Sequence, residues 1–267
     1  MLSTSSTGFR YFIELAFNGT SFHGWQIQPG AETVQETLNH ALGILTGEQV
    51  NLVGCGRTDA GVHASHFVAH FEVNASLNDC VSLTDKLNRF LKKQIRVDRI
   101  VSVTPDSHAR FHAKSRTYQY LISKSKSPFI SDYSWNFNIP LDVQAMNEAC
   151  SIIIGKHDFT SFSKLHTDVK TNDCEVYDAF WIEKKELLIF KIRSDRFLRN
   201  MVRAIVGTMI EVGKGKIRPA DVNGILMEKD RSKAGMSVPA KGLFLTKVEY
   251  DPDVFEIAPK APFPNWF

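Results

Sequence analysis

Residues 9–17 read FRYFIELAF, and the turn dipeptide Asn18-Gly19 follows at once. An apolar and aromatic run bounded by such a turn predicts a β-strand. C-terminal to this turn, apolar residues recur at helical spacing over residues 34–45, with Thr33 as a candidate N-cap. A strand followed directly by a helix indicates a fold that mixes α and β elements.

The same kind of pattern continues along the chain and starts again after a Thr-Pro-Asp break at 104–106. Before the break, strand character marks 50–53, 67–73 and 96–103, and a helix is predicted over 83–91. After it, strands are predicted at 117–122, 176–182, 187–192 and 242–250, and helices at 142–154, 197–212 and 219–227. The two halves show a similar alternation of strands and helices, which predicts a pseudo-duplicated α+β protein with domains 1–105 and 106–267.

Composition places the chain among folded proteins and excludes several classes. Of 267 residues, 43% are hydrophobic and 23% charged, near the globular average. The four cysteines are scattered without a Cys-x-x-Cys pair, and the N-terminus has no signal-peptide pattern, so reduced thiols in a cytoplasm are expected. No apolar run approaches the ~18 residues of a membrane span, so no membrane association is expected.

The charge is unevenly distributed although the formal net value is only +3. Residues 107–131 carry net +5 and residues 191–218 net +6, which leaves the rest of the chain at −8. If the two stretches share a face, the molecule attracts a polyanion. The alternative is two separate solvated faces.

A glycine-rich stretch, GCGRTDAGVH at residues 54–63, holds the densest signal for a site. Its glycines permit close backbone approach, and Arg57, Thr58 and Asp59 lie between them on a short loop after a strand. A functional loop is favoured over a glycine-rich turn with a surface ion pair. Neither Gly-x-Gly-x-x-Gly nor a Walker-type sequence is present, so a nucleotide-binding loop is not supported.

Three histidines, His63, His66 and His70, follow at spacings of three and four. On a helix they would align as metal ligands, and a His-ligated metal hydrolase is therefore one hypothesis. The β-branched and aromatic residues between them indicate a strand, in which His63 and His66 point to opposite faces, so no metal is expected. Loss of activity in EDTA would favour the hydrolase.

Several blocks resemble the tRNA pseudouridine synthase A family and occur in that family's order over almost the whole chain. They are FNGTSFHGWQ (17–26), GRTDAGVHA (56–64), ARFHAKSRTYQY (109–120), DFTSF (158–162), FLRNMVRAIVGTMIEVGKG (197–215) and AKGLFLTKVEY (240–250). The resemblance implies the pseudouridine synthase fold, with two ferredoxin-like α+β halves whose sheets join along a central cleft. It further implies a homodimer that converts uridine to pseudouridine at positions 38, 39 and 40 of the tRNA anticodon stem-loop, without cofactor or metal.

The resemblance also implies roles for individual residues. Asp59 matches the catalytic aspartate, which can attack the sugar or the base, or remove a ribose proton. Arg203 matches the cation that keeps this carboxylate ionised. Tyr118 matches the tyrosine that stacks on the target uracil or reaches a proton. Leu245 corresponds to an apolar residue packed against the catalytic loop.

Contacts with the RNA are expected on the same basis. Arg57 is expected to enter the space that the everted nucleotide leaves, and Arg110, Lys114 and Arg116 are expected to hold phosphates. One departure from the family is the segment Thr171-Asn172-Asp173-Cys174, which lacks the usual arginine, and another is Asn18 in place of Asp. These changes affect the expected RNA contacts rather than the reaction.

An RNA-binding module that has lost catalysis is the remaining alternative. The set Asp59, Tyr118 and Arg203 disfavours it, because a pure binder of RNA has no need of a carboxylate in a cationic groove. The sequence therefore predicts an enzyme.

Overall fold

Ten strands and five α-helices are found in residues 8–164 and 171–255, the part of the chain that the computed structural model describes. The strands are β1 (Phe9–Phe17), β2 (Val53–Gly54), β3 (His63–Val73), β4 (Ile95–Ser102), β5 (Ala113–Ser123), β6 (Trp135–Asn136), β7 (Gly155–Asp158), β8 (Asp173–Lys184), β9 (Leu187–Ser194) and β10 (Leu243–Tyr250). The helices are α1 (Val34–Thr46), α2 (Cys80–Phe90), α3 (Val143–Ile152), α4 (Met201–Gly213) and α5 (Asp221–Glu228). No helix in these ranges combines the length and apolar character needed to cross a bilayer.

All the strands belong to one sheet, in the order β4-β1-β3-β10-β5-β9-β8-β7, with β2 beside β3 and β6 beside β5. Neighbours along this order are antiparallel except β3 and β10, which run parallel through the pairs Phe244/His63 and Leu245/Ala64. Strand β10 therefore joins the two halves of the sheet. The α+β class and the joined sheet expected from the sequence are confirmed.

Two buried hydrophobic clusters lie along this sheet. The first is built mainly from β1, β3, β4, α1 and α2, and the second from β5, β8, β9 and the helices α3 to α5. Strand β10 contributes to both, with Leu245 in the first cluster and Leu243 in the second. The domain division after residue 105 stays a prediction, since one strand serves both halves.

Local capping explains where the helices begin and end. The Thr33 side chain caps α1 by accepting from the backbone N–H of Glu36 at 3.4 Å. Helix α2 begins earlier than predicted because the Asp79 carboxylate caps it by accepting from the Ser82 N–H at 2.8 Å. Helix α4 begins at Met201, four residues later than predicted, since the preceding Asn200 adopts a left-handed φ of 68°.

The three histidines of β3 tie other segments to the sheet. Each accepts a backbone N–H on Nδ1, from Gly19 for His63, from Val248 for His66 and from Ala109 for His70. The prediction that His63 and His66 point to opposite faces is wrong, because the register of β3 with β1 shifts between Ala64 and Phe67. Those two residues both face the first hydrophobic cluster, so His63 and His66 share the other face. Within residues 8–164 and 171–255, no three His, Cys, Asp or Glu side chains form a group that could hold a metal.

His70 makes the stability of the fold dependent on pH. Its burial and the charges of His108 and Arg10 lower its pKa from 6.5 to about 4. Between these values the unfolded chain binds a proton that the native state does not, so stability is lost as pH falls from 6.5 to about 4. We expect a loss of up to about 3 kcal/mol.

Urea unfolding of the wild type and of His70→Gln between pH 7 and pH 4 measures this effect. Glutamine can accept the Ala109 N–H without titrating, so the variant is expected to show a flatter dependence in that window. Equal losses in the two proteins would show that His70 does not carry the effect.

Candidate active site

Two loops packed backbone to backbone form the base of the candidate site. The first connects β2 to β3 and carries Asp59, and the second follows β1. Gly24 has a φ of +90°, and a Cβ there would lie 2.3 Å from the Thr58 carbonyl oxygen. A Cβ on Gly19 would lie 2.0 Å from the carbonyl oxygen of Val62. Only glycine fits at either position, so the second loop fixes the path of the first.

Trp25 anchors the second loop from below. Its side chain is buried, and its ring stacks on Phe67 with the centroids 4.2 Å apart. Its backbone N–H donates to the Thr58 carbonyl at 3.3 Å. The loop is therefore held by a packed tryptophan.

The Asp59 carboxylate lies beside two guanidinium groups. Its Oδ2 is 3.2 Å from Nη1 of Arg203, on the first turn of α4, and its Oδ1 is 4.0 Å from Nε of Arg199. Arg203 is held in place because its Nε donates to the Val238 carbonyl at 2.7 Å. The Asp59 side chain is 28% exposed, so it remains accessible from solvent.

Tyr118 lies where the two hydrophobic clusters meet and packs against both. Its register partner across to β10 is Leu245, which is buried, and its ring contacts Phe197 edge to face at 5.1 Å. Burial, with a smaller contribution from the charge of Asp59, raises the pKa of Tyr118 well above its usual value. The phenol is therefore protonated at neutral pH, and it lies close enough to Asp59 for the charge of that carboxylate to act on it.

Arg116 joins three segments of the site through backbone carbonyls. Its Nη1 donates to Ala113 at 3.0 Å and to Asp195 at 2.7 Å, and its Nη2 donates to Cys55 at 2.9 Å and to Arg110 at 2.6 Å. These carbonyls belong to the start of the Asp59 loop, the segment leading into β5 and the turn after β9. All four Nη hydrogens are used within the protein, and the phosphate contact expected from the sequence stays a prediction.

The other expected RNA-contact residues take different positions. Arg57 is exposed on the Asp59 loop, and Arg110 is exposed just before β5. The Lys114 ammonium lies 2.7 Å from the Asp251 carboxylate, beside a separate cavity that Phe111 and His112 also line. The structure thus places Arg57 at the Asp59 loop and gives Lys114 an acidic partner.

Ion pairs neutralise much of the positive charge in the two basic stretches of the sequence. The paired cations are Lys114 with Asp251, Lys124 with Glu183, Arg193 with Asp178, Lys214 and Lys216 with Glu211, and Arg218 with Asp221. Among the described residues, no carboxylate lies within 4.0 Å of Arg57, Arg110 or Arg196. The cations left without an acidic partner therefore include three close to the site.

Sequence reasoning missed Arg199, Phe197 and Arg196. They lie before the first turn of α4, whereas the apolar periodicity predicted that the helix already covered Phe197 and Arg199. Arg199 and Arg203 are four residues apart in a basic stretch, and that spacing could have indicated that both face one carboxylate.

The segment that departs from the family pattern contacts the same region. The Thr171 carbonyl accepts from Nη1 of Arg196 at 3.3 Å, and the Asn172 amide donates to the Thr160 hydroxyl at 2.8 Å. The other departure, Asn18, donates to the Tyr133 hydroxyl at 3.0 Å. Both substitutions thus have structural partners.

A cavity of about 450 Å³ lies away from these residues. His63, Leu121, Tyr133 and Phe244 are among the residues that line it. Because side chains alternate along a strand, Leu121 and Phe244 point to the face of the sheet opposite Tyr118. None of the residues expected in the active site lines this cavity.

Comparison with known proteins identifies one family. A sequence model of the family described as tRNA pseudouridine synthase matches residues 149–251. The tRNA pseudouridine synthase A of Parabacteroides distasonis is 51% identical over 248 residues, covering 93% of this chain and 98% of the relative. That of Bacteroides fragilis is 50% identical over 248 residues, covering 92% and 98%. That of Thermoanaerobacter pseudethanolicus is 40% identical over 240 residues, covering 89% and 98%.

Proposed function

Because the chain belongs to the tRNA pseudouridine synthase A family, we propose that it isomerises uridine to pseudouridine at positions 38, 39 and 40 of the tRNA anticodon stem-loop. Asp59 is the catalytic carboxylate in this proposal. The observation that carries it is the accessible Asp59 carboxylate, which lies 3.2 Å from Arg203 and whose charge acts on the phenol of the half-buried Tyr118.

The reaction needs one carboxylate and no change of oxidation state. The glycosidic bond between C1′ and N1 breaks, the uracil turns while it is held, and a bond forms between C5 and C1′. The hydrogen on C5 is lost as a proton, and N1 gains one. Asp59 can act by attack on the sugar or the base, or by removal of a ribose proton, and in each case the reacting oxygen is on this side chain.

The neighbouring residues would hold the carboxylate and the base. Arg203 orients the carboxylate through Nη1 while its Nε is fixed on the Val238 carbonyl. Tyr118 offers a ring face to the uracil and a protonated hydroxyl, and Leu245 supports the ring from β10. The base would thus turn between an aromatic ring and a guanidinium group.

Binding of the tRNA would involve the exposed cations near the cleft. Arg57, two residues from Asp59, would fill the space left in the stem when the target nucleotide turns out. Arg110 and Lys114 would contact phosphates, whereas Arg116, whose Nη groups donate to backbone carbonyls, would position the loops. A homodimer would let one subunit grip the tRNA while the stem-loop enters the other, and tRNA as substrate fits an enzyme of the cytoplasm.

Replacing Arg116 by methionine tests whether this residue contacts phosphate or positions the loops. We expect the single-turnover rate at saturating tRNA to fall about 10- to 100-fold, because the loops that hold the reacting groups lose their common anchor. Each rise of about 1.4 kcal/mol in the activation free energy slows the reaction tenfold. The salt dependence of tRNA affinity should not change, since the Nη groups face backbone carbonyls.

Arg116→Lys is the conservative variant and should recover part of the rate. Circular dichroism at the assay temperature establishes that both variants are folded. An unchanged rate would instead identify Arg116 as a phosphate contact if, in addition, the slope of log affinity against log salt concentration became shallower by about 0.7 to 0.9.

Mapping of pseudouridine in tRNA transcripts incubated with the purified protein tests the proposed function. Pseudouridine is expected at positions 38, 39 and 40 where the transcript has uridine, and not elsewhere in the anticodon arm. Tight binding of the transcripts without any pseudouridine would contradict the proposal and favour a silent RNA-binding module.

A further inference from the structure

Phe111 is an aromatic side chain presented to solvent beside the candidate site. It is 72% exposed, although a ring of this size is usually buried in a folded protein. The Arg110 guanidinium carbon lies over its ring, 5.7 Å from the centroid, and the His108 ring lies 4.2 Å from it. An exposed aromatic ring next to cations is typical of surfaces that bind unpaired bases.

The turn that carries Phe111 is fixed by hydrogen bonds. Nδ1 of His108 accepts the backbone N–H groups of Arg110 at 3.1 Å and of Phe111 at 3.3 Å. The N–H of His112 donates to the His108 carbonyl at 3.0 Å, and Arg116 holds the Arg110 carbonyl at 2.6 Å. The ring is therefore presented in a fixed position before any ligand binds, which lowers the entropy cost of binding.

Three exposed or half-buried arginines lie on this turn or on segments joined to it, namely Arg57, Arg110 and Arg196; we call them the arginine cluster. The single guanidinium of Arg116 brings their segments together, because it binds the carbonyls of Cys55, Arg110 and Asp195. Cys55 is two residues from Arg57, the second carbonyl belongs to Arg110 itself, and Asp195 directly precedes Arg196.

The cluster concentrates positive charge. Partial burial and then the neighbouring charges of Arg57 and Arg196 lower the pKa of Arg110. In the described part of the chain no carboxylate lies within salt-bridge distance of the cluster. Uncompensated guanidiniums at this density favour a phosphate backbone over an apolar protein partner.

We propose that Phe111 and the arginine cluster form a binding site for one unpaired nucleotide of the tRNA, next to the target uridine. The base stacks on the exposed side of the Phe111 ring, and the adjoining phosphates contact Arg110 and Arg196. A base-paired nucleotide would not fit, because both faces of its base are covered in the stem. This inference rests on the proposed function, which supplies the RNA.

Affinity for an anticodon stem-loop RNA, measured with Phe111→Ala, tests the stacking. Loss of one base–aromatic stack costs about 1 to 3 kcal/mol, so Kd should rise about 5- to 150-fold. Phe111→Tyr should restore binding, because it keeps a ring face. Phe129→Ala removes an even more exposed phenylalanine, 89% exposed, and should bind as the wild type does.

A second set of RNAs, each lacking the base of one loop nucleotide, locates the partner. On the RNA without the stacked base, Phe111→Ala should cause no further loss of affinity, while on the other RNAs its full effect should persist. Unchanged affinity of Phe111→Ala for the intact RNA, or an equal loss on every RNA of the set, would overturn the inference.

Failure of this inference is separate from failure of the proposed function. Pseudouridine formation by the wild type with no effect of Phe111→Ala on binding would remove only the stacking site. RNA binding that depends on Phe111 and one base, without any pseudouridine formed by the wild type, would remove the proposed function and keep the stacking site.

Discussion

The Asp59→Asn variant is expected to lose pseudouridine formation by about 10⁴-fold or more while it binds tRNA as the wild type does. Asparagine has nearly the same shape as aspartate but lacks the negative charge that any of the three routes requires. Removal of one negative charge from a cationic cleft does not weaken its attraction for phosphates. Tritium released from C5 of labelled uridine in tRNA measures the rate, and filter binding measures the affinity.

Asp221→Asn is the matched control for this experiment. Asp221 is also a carboxylate bound to a guanidinium, that of Arg218 at 2.7 Å, but it belongs to none of the segments that form the candidate site and is 43% exposed. Its replacement should leave the rate within about twofold, because surface ion pairs contribute little to stability. An Asp59→Asn enzyme that retains a tenth or more of the wild-type rate would mean that another group does the chemistry.

Arg203→Met is expected to lower the single-turnover rate by about 10²- to 10³-fold, because the Asp59 carboxylate loses the guanidinium that keeps it ionised and in position. Methionine keeps an unbranched apolar stem but loses the contact with Asp59 and the hydrogen bond to Val238. Among the described cations that pair with this carboxylate, Arg199 then remains, 4.0 Å away and 59% exposed.

Two further variants separate the charge of Arg203 from its packing. Arg203→Lys should recover part of the rate, because an ammonium restores the charge without the second hydrogen bond. Arg218→Met removes an exposed arginine that pairs with Asp221 and should change nothing. If lysine and methionine at position 203 give the same rate, the charge of Arg203 is not what the reaction uses.

Elements with strong local patterns could be predicted from the sequence, whereas contacts between distant segments could not. Strand β1 and helix α1 follow from residues that lie next to each other in the chain. The parallel pairing of β3 with β10 joins His63 to Phe244, and no local periodicity records such a contact. The later start of α4 depends on a single left-handed residue, Asn200, which the apolar spacing does not show.

The candidate site divides in the same way. The density of glycines pointed to the Asp59 loop, and Gly24 shows why one is needed, since a Cβ there would meet the Thr58 carbonyl. The nearness of Arg203 to Asp59 came only from the resemblance to a family. From the net charges of the two basic stretches, Arg110 and Lys114 could not be distinguished. In the described part of the chain Lys114 has an acidic partner, Asp251, and Arg110 has none.

A crystal structure with an anticodon stem-loop that carries 5-fluorouridine at the target position tests the central claim most directly. With fluorine in place of hydrogen, C5 has no proton to lose, so the reaction stops with the nucleoside still bound. We predict that this nucleoside is turned out of the stack, with the Asp59 carboxylate in contact with its sugar or base and Tyr118 against the ring. A nucleoside bound in the cavity on the opposite face of the sheet, beyond the reach of Asp59, would contradict the account.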